Sequence, residues 1–167
     1  MSNLVDINMG EMAVGHNDTR IKTGSIGSCV VIVLYDEKNK VGGMAHAMLP
    51  SRKEKGKKDV VEEARENILE AEAPAKYADE SVDNLVGEIK KIGGETKNLK
   101  AKLIGGARMF KILSGDKFGI GYKNLEAAKG RLEVLGISLE SEETGGTVGR
   151  LAELDLANGL VSVSTKM

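Results

Sequence analysis

A chain of 167 residues with 41% hydrophobic and 29% charged residues has the length and balance of one globular domain with a sizeable core, and it is read as a single domain over residues 1–167. The 24 basic residues are matched by 25 acidic ones, so no global field draws the chain to nucleic acid or anionic lipid; aromatic residues at 3%, with no tryptophan, argue against a stacking platform for single strands. One cysteine excludes a disulfide framework and a Cys-rich zinc site, while the absence of a leader pattern and of any apolar run near the ~18 residues of a membrane span predicts a reduced thiol in the cytoplasm.

In chain order, Val5, Ile7, Met9 and Ala13-Val14 read as a first strand interrupted at Gly10-Glu11, and Arg20 to Thr23 as a second. The glycine-rich turn Gly24-Ser25-Ile26-Gly27-Ser28 leads into Cys29-Val30-Val31-Ile32-Val33-Leu34-Tyr35. That run is apolar at both parities, which predicts a strand covered on both faces. After a polar turn at Asp36 to Lys40, Val41 to Leu49 return as its partner, and Pro50 ends it. Residues 51–75 form a charged insertion. Its basic part holds Arg52, Lys53, Lys55, Lys57 and Lys58, and Val60, Val61, Ala64, Ile68 and Leu69 then recur at helical spacing.

A clearer helix starts near Asp79, with Val82, Leu85, Val86, Ile89 and Ile92 on its apolar stripe and Gly93-Gly94 as its stop. Leu99 to Ile104 read as a strand, Ala107 to Leu113 as a short helix, and Asn124 onward as a longer one facing inward through Leu125, Ala128, Leu132 and Leu135. Ile137 to Glu140 continue as a strand. A hairpin closes the chain, its strands Leu151 to Leu156 and Leu160 to Ser164 joined at Ala157-Asn158-Gly159. The expected fold class is α/β of an α+β-like kind: a mixed, largely antiparallel sheet with helices packed on it.

A lone cysteine is more often an inert buried hydrophobe than a nucleophile. Here it follows a glycine-rich turn and opens a strand, where main-chain N–H groups near Gly27 and Ser28 can support a developing oxyanion. Of the two histidines, His46 has a geometric tie to it. A two-residue loop at Glu37-Lys38 puts Cys29 directly across the ladder from His46, with Cβ atoms about 5 Å apart, and a longer loop makes the pair diagonal but still near. His16, in Gly15-His16-Asn17-Asp18, has no such tie and reads as a solvated surface histidine. The histidines and scattered carboxylates have no metal-ligand spacing, so no metal or organic cofactor is expected. Thr23, six residues before the cysteine, can orient the imidazole, although a strand threonine chosen for β-propensity is an equally good reading.

The run Thr23-Gly24-Ser25-Ile26-Gly27-Ser28-Cys29-Val30, followed by Gly42-Gly43-Met44-Ala45-His46-Ala47-Met48-Leu49-Pro50, resembles the CheD family of chemoreceptor glutamine deamidases. Lys76-Tyr77-Ala78-Asp79, Ile104-Gly105-Gly106-Ala107, Ile120-Gly121 with Asn124, and Gly145-Gly146 with Gly149-Arg150 resemble it in the same order. The resemblance implies a deamidase fold, Cys29 as nucleophile, His46 as general base and Thr23 as the orienting residue. It also implies substrate contacts from Tyr77, Asp79, Gly105, Gly106 and Asn124. Its implied partners are the helical cytoplasmic region of methyl-accepting chemotaxis receptors and a CheC-type phosphatase.

Three features depart from the family pattern. Ser25 stands where it has a glycine, which asks a serine to tolerate positive φ if that glycine uses it. Lys123 replaces a common arginine, and the charged segment 51–75 is longer than expected. Rival readings are a Cys–His peptidase, a binding module that chiefly regulates the phosphatase, and a nucleic-acid binder using the basic run, which no aromatic residue or motif supports.

Overall fold

The computed structural model describes residues 3–52, 73–109 and 119–166. The expected single sheet is two sheets stacked face to face. One holds the order β1-β3-β8-β9 and the other β2-β5-β4-β6-β7, where β1 is Asn3–Asp6, β2 Met12–His16, β3 Thr19–Ile26, β4 Val30–Asp36, β5 Val41–Ala47, β6 Leu99–Gly105, β7 Ser138–Thr144, β8 Gly149–Asp155 and β9 Leu160–Lys166. The division begins at Gly10, whose φ of 84° breaks the first expected strand in two. Its first piece, β1, pairs in parallel with β3, and its second, β2, pairs antiparallel with β5 in the other sheet.

β4 is the middle strand of five, and all seven of its residues are buried. Its apolar residues at both parities have the covering they require. Val30, Ile32 and Leu34 face α1 (Ala78–Lys91) and α2 (Gly119–Val134), while Val31, Val33 and Tyr35 meet Ile21, Ile26, Ala152 and Leu154 of the other sheet. The result is an α+β fold of two mixed sheets with two helices, among the described residues, on the outer face of the five-stranded one. Helix α1 buries Val82, Leu85, Val86 and Ile89 as its stripe predicts. Gly93 (φ 105°) then closes it, with Gly93 N and Gly94 N returning to the carbonyls of Lys90 and Ile89.

Other boundaries move. Helix α2 starts at Gly119 rather than at Asn124, and the reason is a close approach described below. Residues 107–109 of the expected short helix are not helical; its remainder, and the helix expected around Val60 to Leu69, lie outside the described residues. The strand expected at Ile137 to Glu140 runs from Ser138 to Thr144.

The hairpin between β4 and β5 decides which residues face each other. Asp36 pairs with Val41, so the loop has four residues, Glu37 to Lys40, instead of two. Lys40 completes the turn at φ 56°. Asp36, fully buried, holds the loop through Asn39 N and Nδ2 at 2.9 and 2.8 Å and receives Glu95 N at 2.9 Å from the connection after α1. Burial alone would raise this carboxyl's pKa, but the hydrogen bonds from Asn39, Glu95 and Asn98 together outweigh it and leave the pKa below its ordinary value. A carboxyl depressed on folding contributes stability above the ordinary carboxylate pKa of about 3.9, and that contribution is lost as the pH falls through the folded value. Asp36→Asn is therefore expected to cost about 1–3 kcal/mol at pH 7 in urea unfolding, with the gap to wild type shrinking as the pH is lowered into and below the carboxylate range.

Candidate active site

The end of β3 is bent by a bulge. Thr23 pairs with Ala152 and Ile26 with Arg150, so Gly24 and Ser25 together oppose Leu151. Ser25 takes φ 54°, the left-handed conformation anticipated for the position where it replaces a glycine. The bulge keeps both Thr23 and Ile26 facing the inter-sheet core. It also turns the chain out of one sheet, through Gly27-Ser28, and into β4 of the other.

Cys29 lies one residue before β4. Its carbonyl accepts from Gly106 N at 2.7 Å, and that of Gly27 accepts from Ala107 N at 3.0 Å. Glycines make this approach feasible. Gly105 (φ 109°) and Gly106 (φ 65°) end β6 in backbone that side chains rarely adopt, and a Cβ on Gly105 would collide with the Cys29 carbonyl oxygen. Gly121 of α2 packs on the main chain of Gly106 and Ala107 with no room for a Cβ. This contact is why the helix begins across Gly119-Ile120-Gly121.

His46 lies on β5, and its main-chain N–H and carbonyl are both held by the stretch just before β2. Its N–H donates to Glu11 O at 3.0 Å and its carbonyl accepts from Gly10 N at 2.8 Å. The four-residue hairpin loop shifts the register so that His46 faces Val31, not Cys29. Directly opposed pairing is thus corrected to a diagonal relation, with Cys29 two residues along the chain from the residue that faces His46. Diagonal neighbours lie roughly 7–8 Å apart at Cα, within reach of long side chains.

The imidazole is fully buried. Its Nδ1 lies 2.7 Å from Thr23 Oγ1, and the same hydroxyl donates to Ile7 O at 2.8 Å. A hydroxyl has one proton. With that proton on the Ile7 carbonyl, Nδ1 must be the donor to Thr23, so Nε2 of the neutral ring carries the lone pair. The Ile7 carbonyl is the member of this arrangement that sequence reading missed; a main-chain acceptor leaves no mark on residue type.

The remaining expected residues divide. Asn124, fully buried, donates from Nδ2 to Ser28 O at 2.8 Å and to Met48 O at 3.1 Å, so its amide engages the main chain around the cysteine and histidine rather than an open surface. Tyr77, at the start of α1, packs with Cys29, Met48, Leu49 and Ile120 in one apolar cluster, and the Arg52 guanidinium lies 4.7 Å from its ring centroid. Asp79 belongs to a neighbouring depression with Ser51, Tyr122 and Lys123. It accepts from Ser51 Oγ at 2.8 Å. His16 is exposed at the far end of β5's partner strand and contacts the Ile92 carbonyl at 3.1 Å. No cluster of metal-ligating side chains occurs among the described residues, and none of their helices is long and apolar enough to cross a membrane.

The thiol of Cys29 is free of any disulfide and 1% exposed. What the arrangement offers chemically is a thiol at the end of a tightly held turn, and a buried imidazole of defined tautomer diagonal to it. A strained, exposed serine stands at the bend leading there. Left-handed backbone costs a non-glycine residue about 1–2 kcal/mol, and glycine's greater unfolded-state freedom takes back part of the gain. Ser25→Gly should therefore raise the unfolding free energy by about 0.5–1 kcal/mol in denaturant titration.

Comparison with known proteins adds a second line. The family model described as CheD chemotactic sensory transduction matches residues 48–165. A protein of Pyrococcus abyssi named a probable chemoreceptor glutamine deamidase CheD is 40% identical over 161 residues, 96% of this chain and 91% of that protein. One from Methanococcus vannielii with the same name is 38% identical, covering 96% and 94%. The chemoreceptor glutamine deamidase CheD of Halalkalibacterium halodurans is 38% identical over 166 residues, covering 99% and 95%.

Proposed function

Because the chain belongs to the CheD family of chemotactic sensory transduction proteins, we propose that it is a protein-glutamine deamidase that converts glutamine side chains of chemotaxis receptors to glutamate through a thioester on Cys29. The observation that carries this reading is the Thr23 hydroxyl, which bonds Ile7 O and His46 Nδ1 together. It leaves the imidazole's Nε2 as the base, the state in which a histidine can take a thiol proton.

In the proposed reaction, His46 Nε2 takes the proton of Cys29, and Sγ bonds to the glutamine carboxamide carbon. The C=O electron pair moves to oxygen, where N–H groups of the Gly27-Ser28-Cys29 turn would stabilise it. As the intermediate collapses, the C–N bond breaks and the His46 imidazolium gives its proton to the leaving nitrogen, which departs as ammonia. Water, deprotonated by the same ring, then attacks the thioester and releases glutamate and the thiol. A substrate side chain must first displace part of the apolar cluster over Cys29, in which Tyr77 and Ile120 take part. No step calls for a metal ion or organic cofactor.

Receptor glutamines as the substrate come from the names of the relatives, and the same family likeness supports a CheC-type phosphatase as a second partner and the cytoplasm as the compartment. The thiol–imidazole pairing would equally serve peptide cleavage. Product mass separates the two, since exchanging ammonia for water adds about one dalton and leaves the chain whole.

Intact-mass analysis of a receptor cytoplasmic fragment is the test. Wild type should add about one dalton per modified glutamine, and Cys29→Ala should add none. His46→Ala should lower kcat by about 10²–10⁴-fold, and Thr23→Val by at least about tenfold. Chain cleavage, or equal conversion by wild type and Cys29→Ala, would rule out the thioester deamidase. Retention of a CheC-type phosphatase by Cys29→Ala in a pull-down would separate binding from catalysis.

A further inference from the structure

Three successive carbonyl oxygens in the cysteine turn are each held by a specific donor. Gly27 O and Cys29 O accept from the main chain of Ala107 and Gly106, at 3.0 and 2.7 Å. Between them, Ser28 O accepts from Asn124 Nδ2 at 2.8 Å. Asn124 is thus the one side-chain link of the three. It comes from α2 and is fully buried. The same nitrogen donates to Met48 O at 3.1 Å, two residues beyond His46. Both neighbours are carbonyl oxygens, so the amide cannot be reversed without setting Oδ1 against two acceptors. One planar group ties the residue before the cysteine to the strand that carries the imidazole.

In a trans peptide the carbonyl and the following N–H point in opposite directions. Holding the Ser28 carbonyl toward α2 therefore aims the Cys29 N–H away from the helix. Building on the deamidase reading above, we propose that Asn124 is a positioning residue: it locks the Ser28–Cys29 peptide so that the Cys29 N–H meets the oxyanion formed when the thiolate adds to an acyl carbon. Asn124 itself touches no reacting atom. Its contribution is confined to steps in which a carbonyl oxygen gains charge, where one well-aimed donor is worth about 10²–10³ in rate.

That confinement supplies the test. Acylation of Cys29 by p-nitrophenyl acetate, followed as a burst of p-nitrophenolate, passes through a tetrahedral oxyanion: Sγ bonds to the acetyl carbon and the aryl oxygen leaves with the bonding pair. Alkylation by iodoacetamide displaces iodide at a saturated carbon and forms no oxyanion. In Asn124→Ala, acylation should slow at least about tenfold while alkylation stays within about twofold of wild type. Should the alanine variant fail to fold by circular dichroism, Asn124→Leu, closer in size to asparagine and with no donor, carries the same comparison. Equal losses in both reactions would mean a merely structural role and overturn the proposal. So would unchanged acylation, or the absence of a burst in wild type. Neither reaction involves glutamine, so a wild-type protein that acylates normally but leaves the receptor fragment unchanged counts against the deamidase reading alone.

Discussion

The hydroxyl of Thr23 is the polar contact on which this end of the molecule depends. Thr23 belongs to one sheet and His46 to the other, so the 2.7 Å approach between them crosses the inter-sheet interface, beside an apolar core built from Ile21, Ile26, Val31, Val33, Met44 and Leu154. A buried polar group without a partner costs about 1–3 kcal/mol. The two sheets must therefore stack in the register that lets His46 Nδ1–H reach the Thr23 hydroxyl oxygen while that hydroxyl's own proton reaches Ile7 O. Ile7 supplies the second acceptor because its own N–H is tied to Lys22 O at 2.9 Å, holding that stretch beside β3. Sheet packing, threonine, carbonyl and imidazole tautomer form one constraint.

The cysteine turn is organised by a complementary rule. Three of its carbonyls are anchored into the protein, and anchoring acceptors fixes where the N–H groups on the other side of those peptides point. Glycines at 105, 106 and 121 let β6, α2 and the turn approach at backbone distance. The same close packing explains the burial of the thiol. A thiol held this firmly is oriented at the expense of access, packed among the apolar side chains of Tyr77 and Ile120.

Much of this was legible in the residues. Both-parity apolarity in Val30–Tyr35 announced a strand covered on two faces, and the run of odd and even positions separates into the two cores found. The Cys29–His46 relation was legible in kind but not in register. The loop between β4 and β5 carries Lys40, not glycine, at its left-handed position, and its closure comes from the Asp36 side chain, so nothing in the local turn chemistry distinguished four residues from two. The start of α2 was hidden because Gly119 and Gly121 count against a helix by propensity and are required by packing on Gly106. Two sheets rather than one followed from Gly10, a single break whose consequence is non-local. The family likeness names Asn124 as a substrate contact, but that its amide meets the Ser28 and Met48 carbonyls is something no pattern of side chains encodes.

The central claim is that Thr23 sets His46 as the Nδ1–H tautomer and so leaves Nε2 for the thiol proton. Nitrogen-15 NMR of the imidazole in the protein at rest tests it most directly. Expected is a protonated, pyrrole-type Nδ1 and an unprotonated Nε2 in wild type at neutral pH, with the tautomer balance shifting in Thr23→Val. A wild-type ring protonated at Nε2 with a bare Nδ1, or a balance indifferent to Thr23→Val, would contradict it.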